Sequence, residues 1–402
     1  MLLSESETVI STNLQDPRDP RLRAWAYLSR VVEGPCRQLL ALINQVGPED
    51  AARAVQSGGL PQVLDRPTRA RRQDDHSARD LELLIDMGGE LVTPDSREWP
   101  AWRMLAFDQQ EVRQDPDAIA PIALWKRGAV SIDEVSSSAV AVVGTRAPSS
   151  YGEQSTIDMA CELSAAGCTI VSGAAYGIDA CAHRAALAGQ MPTVAVLACG
   201  IDQVYPSGHD RLLSEIVRNG AVVTEYPPGT RPARFRFLAR NRLVAALSDA
   251  VLVTEAGKRS GARNTARWGR LFGKPVYAMP GPVTSVSSVG CHQMIRTGEA
   301  SLVTCGSEVL SDTGLRERAA QRMLVGPGIE TETKLDRVTD GLDRTQLRVF
   351  DSLPMRGGAS LAEIAVSSGV PATSVQAALA VLEIGGLAQR GDAGWRRAKR
   401  RC

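Results

Sequence analysis

Aromatic residues are scarce in this chain of 402 residues, at 4% of the composition. A surface lined with stacking rings is therefore not expected. An excess of charge of one sign is also missing, since 46 Lys and Arg residues face 45 Asp and Glu residues for a formal net charge of +1. The chain is not a generic polycation, so any affinity for nucleic acid has to come from local patches.

Long hydrophobic runs are absent too. No segment approaches the roughly 20 apolar residues that a membrane-spanning helix needs, and polar residues 1–15 do not form a signal-peptide core. We therefore expect a cytoplasmic protein without membrane contact. The eight cysteines form no C-x-x-C pair and no zinc spacing with the four histidines. We expect no metal and no cofactor, and we expect Cys161, Cys168 and Cys199 to be small buried side chains.

Catalytic motifs are poorly represented. The sequence has no H-x-x-x-H, no G-x-S-x-G and no G-K-[ST]. His183 is interpreted as a packed or surface histidine rather than a general base. Asp202 and Glu225 follow predicted strands and could act as acids, but capping or pairing with arginines explains them equally well. No catalytic residue is predicted.

Short apolar runs alternate with helical patterns in the middle of the chain. Strands are predicted at 90–93, 139–143, 169–171, 193–197, 221–224, 250–254 and 275–278, with helices near 80–87, 152–166, 178–189, 208–218, 239–247, 263–272 and 290–297. This alternation is typical of a parallel sheet covered on both faces. The predicted fold is α/β, an extended Rossmann-like, doubly wound, mostly parallel sheet whose ligand site lies at the carboxyl ends of the strands.

The flanking segments have other patterns. After 343, three predicted helices and a hairpin are typical of a winged helix. Its third helix is poor in base-reading side chains, which favours protein contact or weak DNA contact over sequence-specific regulation. The predicted organisation is a flexible N-terminus (1–20), a helical, SAM-like domain (21–80), the Rossmann-like domain (81–312), a linker (313–342), a winged-helix domain (343–397) and a basic tail (398–402).

A glycine-rich turn joins a predicted strand to a predicted helix between Val171 and Ile178. Such a turn directs backbone N–H groups and a helix N-terminus at one place, which suits a phosphate. Arg146 follows an earlier strand, and an Arg-rich loop from Arg231 to Arg242 contains no acid. These charges would repel one another unless a polyanion lay among them. Each part alone has an ordinary explanation, since glycines shape turns and surface arginines pair with nearby acids.

The candidate binding residues lie on four segments that follow strands. They are Gly144, Arg146, Ser172, Gly173, Tyr176, Gly177, Ile178, Arg234, Arg240, Asn241, Arg242, Lys258, Ser260, Gly261, Arg263 and Thr265. Asp179, in the first turn of its helix, is interpreted as a cap.

In their order these motifs resemble the DNA-processing protein A (DprA/Smf) family over about residues 90–310. The resemblance is carried by V-G-T-R at 143–146, S-G-x-x-x-G-I-D-A-x-A-H at 172–183, E-Y-P-P-G at 225–229, R-N-R at 240–242 and M-P-G-P at 279–282. It implies a non-enzymatic protein that binds single-stranded DNA, protects incoming DNA, loads the RecA recombinase in natural transformation, and forms a homodimer. Tyr176 replaces a residue that is often basic in the family, and could stack on a base instead.

One alternative is an enzyme. The fold is similar to that of nucleotide phosphoribohydrolases, which use a glycine-rich turn followed by a glutamate. The comparable turn here, 260–265, contains no acid, which argues against hydrolysis.

Overall fold

The computed structural model of the chain describes residues 15–318, 342, 344–354, 357–385, 387–391 and 394–398. Most of the predicted flexible N-terminus, of the linker and of the basic tail therefore lies outside the described residues. The chain divides into two compact units, 1–326 and 327–402.

Five helices begin the first unit: α1 (Pro20–Val31), α2 (Arg37–Val46), α3 (Pro48–Ser57), α4 (Gln62–Thr68) and α5 (Ser77–Asp86). Asp19 caps α1 by accepting a hydrogen bond from the Arg21 N–H at 3.0 Å. Gly47, with φ of +82°, ends α2 and precedes Pro48 at the start of α3. These helices share a hydrophobic core with one face of the sheet, where Leu28 and Leu39 are in the same cluster as Trp125.

A nine-stranded sheet forms the centre of the first unit, in the order β1-β2-β6-β5-β4-β3-β7-β8-β9. Its strands are β1 (Gly89–Val92), β2 (Leu124–Gly128), β3 (Ala139–Val143), β4 (Thr169–Ser172), β5 (Thr193–Val196), β6 (Ala221–Thr224), β7 (Ala250–Val253), β8 (Val276–Ala278) and β9 (Ser301–Leu302). Strands β3 to β9 pair in parallel, whereas β1 and β2 are antiparallel additions beside β6. The predicted doubly wound, mostly parallel fold is confirmed.

Helices cover both faces of the sheet. They are α6 (Ala101–Met104), α7 (Ile132–Ser136), α8 (Ser150–Ala165), α9 (Ile178–Ala188), α10 (Asp210–Asn219), α11 (Arg234–Ala246), α12 (Gly261–Leu271), α13 (Val289–Arg296) and α14 (Gly306–Thr313). The chain winds outward from β3 to β6 and then crosses back to β7, on the other side of β3. The switch point between β3 and β7 is where such sheets open a crevice at their carboxyl edge.

Two local expectations are corrected, and one strand was not expected. The segment expected to be an Arg-rich loop up to Arg242 is helical from Arg234 onward, as the first turns of α11. Cys161 is exposed rather than buried, because it lies on the outer face of α8, while Cys168 and Cys199 are buried as expected. Strand β2 was not predicted; its Lys126 is buried and forms ion pairs with Glu90 at 2.7 Å and with Glu98 at 2.5 Å.

The Gln15 side chain forms hydrogen bonds with the outer edge of β1. The Gln15 amide donates to the Leu91 carbonyl at 2.9 Å and accepts from the Leu91 N–H at 2.8 Å. One glutamine thus makes the two bonds that a neighbouring strand residue would make.

The second unit contains α15 (Arg344–Asp351), α16 (Leu361–Ser368), α17 (Ala372–Ile384), β10 (Ala388–Gly391) and β11 (Gly394–Arg397). Ser360 and Glu363 form a capping box at the start of α16, and β10 pairs with β11 as an antiparallel hairpin. These elements follow the predicted order, while the winged-helix and SAM-like assignments stay predictions. Among the described residues no single helix is long and apolar enough to cross a membrane; α16 and α17 pass only when joined, and they are bent by 102°.

Candidate nucleic-acid interface

A groove of about 900 Å³ lies at the carboxyl edge of the sheet, beside the switch point. We call it the carboxyl-edge groove. Nine of the predicted site residues line it: Gly144, Arg146, Gly173, Arg234, Arg240, Asn241, Ser260, Gly261 and Thr265. Phe235, Phe237, Leu238 and Arg259 also line it, and they were not among the candidate residues. The four segments that sequence analysis expected to share one edge are therefore brought together there.

Four exposed cations lie on or beside this groove: Arg146, Arg234, Lys258 and Arg259. Within the part of the chain that the structure describes, none of the four forms an ion pair with an acidic side chain. Unpaired arginine and lysine side chains at a concave edge attract anions, and Arg presents a planar fork of donors that matches a phosphate. The electrostatic character of the groove is thus positive although the whole chain is nearly neutral.

Aromatic side chains accompany these cations. The Arg146 guanidinium carbon lies 5.2 Å from the centroid of the Phe237 ring, and the Tyr205 and Phe237 centroids are 5.2 Å apart. Phe235 is 55% exposed and Tyr176 is 48% exposed. Aromatics make up only 4% of the chain and most of them lie elsewhere, but some rings are exposed at this edge, which the composition did not predict.

The glycine-rich turn is already occupied by one of the protein's own carboxylates. Asp179 accepts the backbone N–H groups of Gly173 at 3.1 Å and of Ala175 at 3.3 Å. Burial raises the pKa of Asp179, against the opposing effect of the nearby Arg240 charge. Two of the amides expected to hold a phosphate are therefore used inside the protein. Asp179 caps this turn rather than the helix that follows it.

A second carboxylate, that of Glu255, accepts a backbone N–H group at the start of α8. Glu255 accepts the Ser149 N–H at 2.9 Å and the Ser149 hydroxyl at 2.7 Å, and its own carbonyl accepts the Thr145 N–H at 2.8 Å. Sequence analysis did not identify Glu255. These bonds fix both ends of the short loop that carries Arg146, so this exposed guanidinium extends from a rigid base.

Two arginines of α11 differ from expectation in their surroundings. Arg240 is only 4% exposed and donates to the carbonyls of Gly173, at 2.6 Å, and Val196. Its guanidinium lies so close to Gly173 that a β-carbon there would overlap it. Arg242 is fully buried and donates from its two terminal nitrogens to the two carboxylate oxygens of Glu225, each at 2.6 Å.

Arg242 cannot contact a ligand in this position, so its prediction as a phosphate contact is wrong. The expected repulsion within the arginine run is also wrong, because acids from elsewhere in the chain neutralise part of it. Glu225 pairs with Arg242, and Glu33 pairs with Arg236 at 2.8 Å. A search of the run alone could not reveal either acid.

Other candidate residues use their side chains for packing or for hydrogen bonds within the protein. Ser172 and Ile178 are buried, the former donating to the Val142 carbonyl at 2.6 Å. Asn241 donates to the Gly261 carbonyl at 3.4 Å and joins α11 to α12. Arg263 turns away to Gln293, at 3.1 Å, and to Glu299, at 3.6 Å. DNA contact at Ser172, Ile178 and Arg263 stays a prediction. The first two side chains are buried, so only their backbone could contact DNA, and the Arg263 side chain is already paired.

Gly177 and Tyr176 complete the turn before α9. Gly177 has φ of +80°, and a β-carbon there would overlap the Thr145 carbonyl, so the position requires glycine. The half-exposed Tyr176 ring meets His209 edge-on, with centroids 4.7 Å apart. Its exposed face is free to meet a flat apolar group.

Among the described residues, no group of three or more His, Cys, Asp or Glu side chains could hold a metal ion. His183 is fully buried, with Nδ1 2.7 Å from the Thr193 hydroxyl. Burial, with smaller effects of the His209 and Arg240 charges, lowers its pKa to about 3. It is a packed histidine rather than a base facing the groove.

Comparisons with known proteins give consistent matches. A family model described as DNA recombination-mediator protein A matches residues 90–314. Over 378 residues the chain is 48% identical to a protein of Mycobacterium tuberculosis named as a DNA processing protein DprA, covering 94% of this chain and 95% of that one. It is 41% identical over 194 residues to Protein Smf of Escherichia coli, covering 48% of this chain and 51% of that protein.

A solved structure is similar as well. The X-ray structure of DNA processing protein A from Streptococcus pneumoniae aligns with a TM-score of 0.58 and 31% sequence identity, covering 72% of this chain and 96% of that chain.

Proposed function

Because this chain belongs to the DNA recombination-mediator protein A family, which is the DprA/Smf family, we propose that it binds single-stranded DNA along the carboxyl-edge groove. The observation that carries this proposal is the set of exposed, unpaired cations beside exposed rings. Arg146, Arg234, Lys258 and Arg259 would contact backbone phosphates. Phe235, Phe237 and Tyr176 would stack on bases. Proteins that bind single strands combine these two features in one groove.

The arrangement favours a chain of nucleotides over a single nucleotide. A site for one nucleotide phosphate concentrates backbone amides on it, but here Asp179 and Glu255 already accept amide N–H groups at this edge. The remaining cations come from separate segments, after β3, at the start of α11 and before α12. Spaced charges of this kind suit successive phosphates along a strand.

The rings favour a single strand over a duplex. Stacking on Phe235 or Phe237 requires a base whose flat face is accessible, and duplex bases are covered by their neighbours. We expect the groove to bind single strands with little sequence preference, because phosphate contacts and stacking carry little sequence information.

We extend the proposal to the partners that the family resemblance implies. They are RecA, loaded onto the bound strand, and a second copy of this chain in a homodimer. The same resemblance supports a role in protecting incoming DNA during natural transformation. A cytoplasmic location stays a prediction, and so does a role for the second unit in protein contact or weak DNA contact.

We propose no enzymatic activity. The phosphoribohydrolase alternative needs a free acid near the glycine-rich turn, and the turn at 260–265 contains none. Asp179 and Glu225 are engaged with backbone amides and with Arg242 respectively. Incubation with nucleoside monophosphates should release no free base, and release above a buffer control would contradict this part of the proposal.

The binding proposal is tested with the full-length protein and fluorescent oligothymidine, with a duplex of equal length as the comparison. We expect tighter binding to the single strand and a linear fall of log Kobs with log salt, with a slope of about −0.7 for each phosphate neutralised. Equal affinity for duplex, or binding that does not respond to salt, would contradict the proposal.

A further inference from the structure

We propose that Glu33, which follows α1, is a positioning residue for the carboxyl-edge groove. Its carboxylate holds the arginine-bearing segment 228–236, and so sets the geometry in which Arg234 and Phe235 meet DNA. This inference rests on the proposed function and adds a role for the N-terminal helices in that function.

The contact itself is direct. One Glu33 carboxylate oxygen accepts from the Arg236 side chain at 2.8 Å, and the other accepts from Arg71. Burial alone would raise the pKa of Glu33, but the hydrogen bonds and charges of Arg236 and Arg71 lower it overall. The carboxylate is therefore ionised at neutral pH and keeps its hold on both arginines.

Arg236 in turn contacts residues on the groove side of α11 and in the segment before it. Its guanidinium lies 5.0 Å from the Phe235 ring centroid and 5.6 Å from that of Tyr226, and it also donates to the Arg231 carbonyl. Arg236 is only 14% exposed, so it is packed rather than mobile. Its position thus fixes the neighbouring ring, which is 55% exposed at the groove.

A second contact from α1 holds the start of the same segment. Arg30, in the last turn of α1, donates to the Pro228 carbonyl at 2.7 Å and pairs with Asp80 at 2.6 Å. The segment that carries Arg231 and Arg234 is therefore held near both ends. Arg30, at the end of α1, binds its first residue, and Glu33, just after α1, binds its last. Fixing such a loop before binding removes an ordering cost from each side chain that the strand would otherwise immobilise.

Simple electrostatics predicts the opposite effect from positioning. Removing an acid close to a DNA-binding groove should strengthen binding, since one repulsive charge is lost. If Glu33 positions the segment, its removal should weaken binding instead. The sign of the change therefore separates the two explanations without reference to its size.

The experiment compares Glu33→Gln with Asp65→Asn in the full chain. Asp65 is a matched control, because it also bridges two arginines, Arg69 and Arg72, near the N-terminal helices. The hydrogen bonds and ion pairs that the described structure gives its carboxylate do not involve α11. We expect Glu33→Gln to weaken oligothymidine binding about fivefold, with an unchanged salt slope because the cations themselves remain. Asp65→Asn should bind like wild type or slightly more tightly. Thermal unfolding midpoints of both variants show whether a loss of folding explains any difference.

A double-mutant cycle completes the test. Glu33→Gln should have no further effect on binding in a background of Arg236→Gln, because the positioning acts through that side chain. Additive effects, or a Glu33→Gln variant that binds as well as wild type or better, would overturn the inference. Wild-type protein that fails to bind oligothymidine would instead contradict the proposed function, so the two failures are distinguishable.

Discussion

Arg242 and Glu225 form a bidentate ion pair that is closed to solvent, with the guanidinium completely buried. The pair joins α11 to the residue that follows the end of β6. An arginine in the same three-residue motif as Arg240 thus belongs to the scaffold.

Replacing Arg242 should therefore affect folding before binding. In Arg242→Gln the Glu225 carboxylate would be left buried without its partner, which typically costs about 3–5 kcal/mol of unfolding free energy. Urea denaturation measures this change. Arg211→Gln is the control, since Arg211 is 92% exposed and pairs with Glu215 on the surface, and it should unfold like wild type. An Arg242→Gln protein as stable as wild type would show that the pair contributes little.

Arg146→Gln should act on binding alone. Its guanidinium is exposed and has no ion pair among the described residues. Its loss removes the proposed phosphate contact and, within the protein, only the contact with the Phe237 ring. We expect weaker binding to all single-stranded sequences alike, and a salt slope smaller by about 0.7. The measurement is fluorescence anisotropy across a salt series, with Arg211→Gln again as the control. A slope equal to that of wild type would place the strand elsewhere.

Phe235→Leu should have the complementary effect. The substitution removes a stacking face while keeping an apolar side chain, so affinity should fall by about 1–3 kcal/mol if one base stacks there. The salt slope should stay constant, because no cation is lost. Leu238→Ala, a change at a neighbouring side chain that is 53% exposed, should have a smaller effect. Equal losses in the two variants would argue for general apolar contact rather than stacking.

His183 predicts a pH dependence of stability. Its pKa is lowered from 6.5 to about 3 by burial. Between these two values the imidazole is protonated in the unfolded chain and neutral in the folded chain. Below pH 6.5 the unfolded state binds more protons, and stability should fall with falling pH by about 1.4 kcal/mol per unit until pH 3 is approached. Above pH 6.5 this contribution is complete and constant.

His183→Asn should lack this component. The unfolding free energies of variant and wild type should converge as pH is lowered from 7 to 5, because only wild type loses the contribution of a buried neutral imidazole. Leu238→Ala, which changes a half-exposed side chain that carries no titratable group, is the control, and its stability curve should run parallel to that of wild type. Parallel curves for wild type and His183→Asn would contradict the assignment.

Sequence patterns located much of the sheet. Strands β3 and β6 have the predicted bounds, because fully buried parallel strands appear as continuous apolar runs. Strand β2 escaped prediction because the charge of Lys126 hides its apolar character. The ion pairs that make its burial possible come from Glu90 and Glu98, 36 and 28 residues away, and such pairing leaves no periodic signal.

The location of the groove was predictable from the sequence, but the partners of its amides and arginines were not. The rule that parallel strands expose their carboxyl ends at one edge brought Arg146 and Gly173 together correctly. The sequence does not show that Asp179 would accept the turn amides, since this depends on the path of the backbone through Ala174, whose φ is +53°. Nor does it show which arginines meet acids, because Glu33 lies 203 residues from Arg236.

The Gln15 side chain also reduces the capacity of one edge of the sheet to pair with a further strand. By completing the bonding of Leu91, it leaves that margin of the sheet with less to offer a foreign strand. The opposite margin ends in the two exposed residues of β9, Ser301 and Leu302. We therefore expect a strand from another molecule to pair more readily at the β9 edge of the described sheet than beside Leu91.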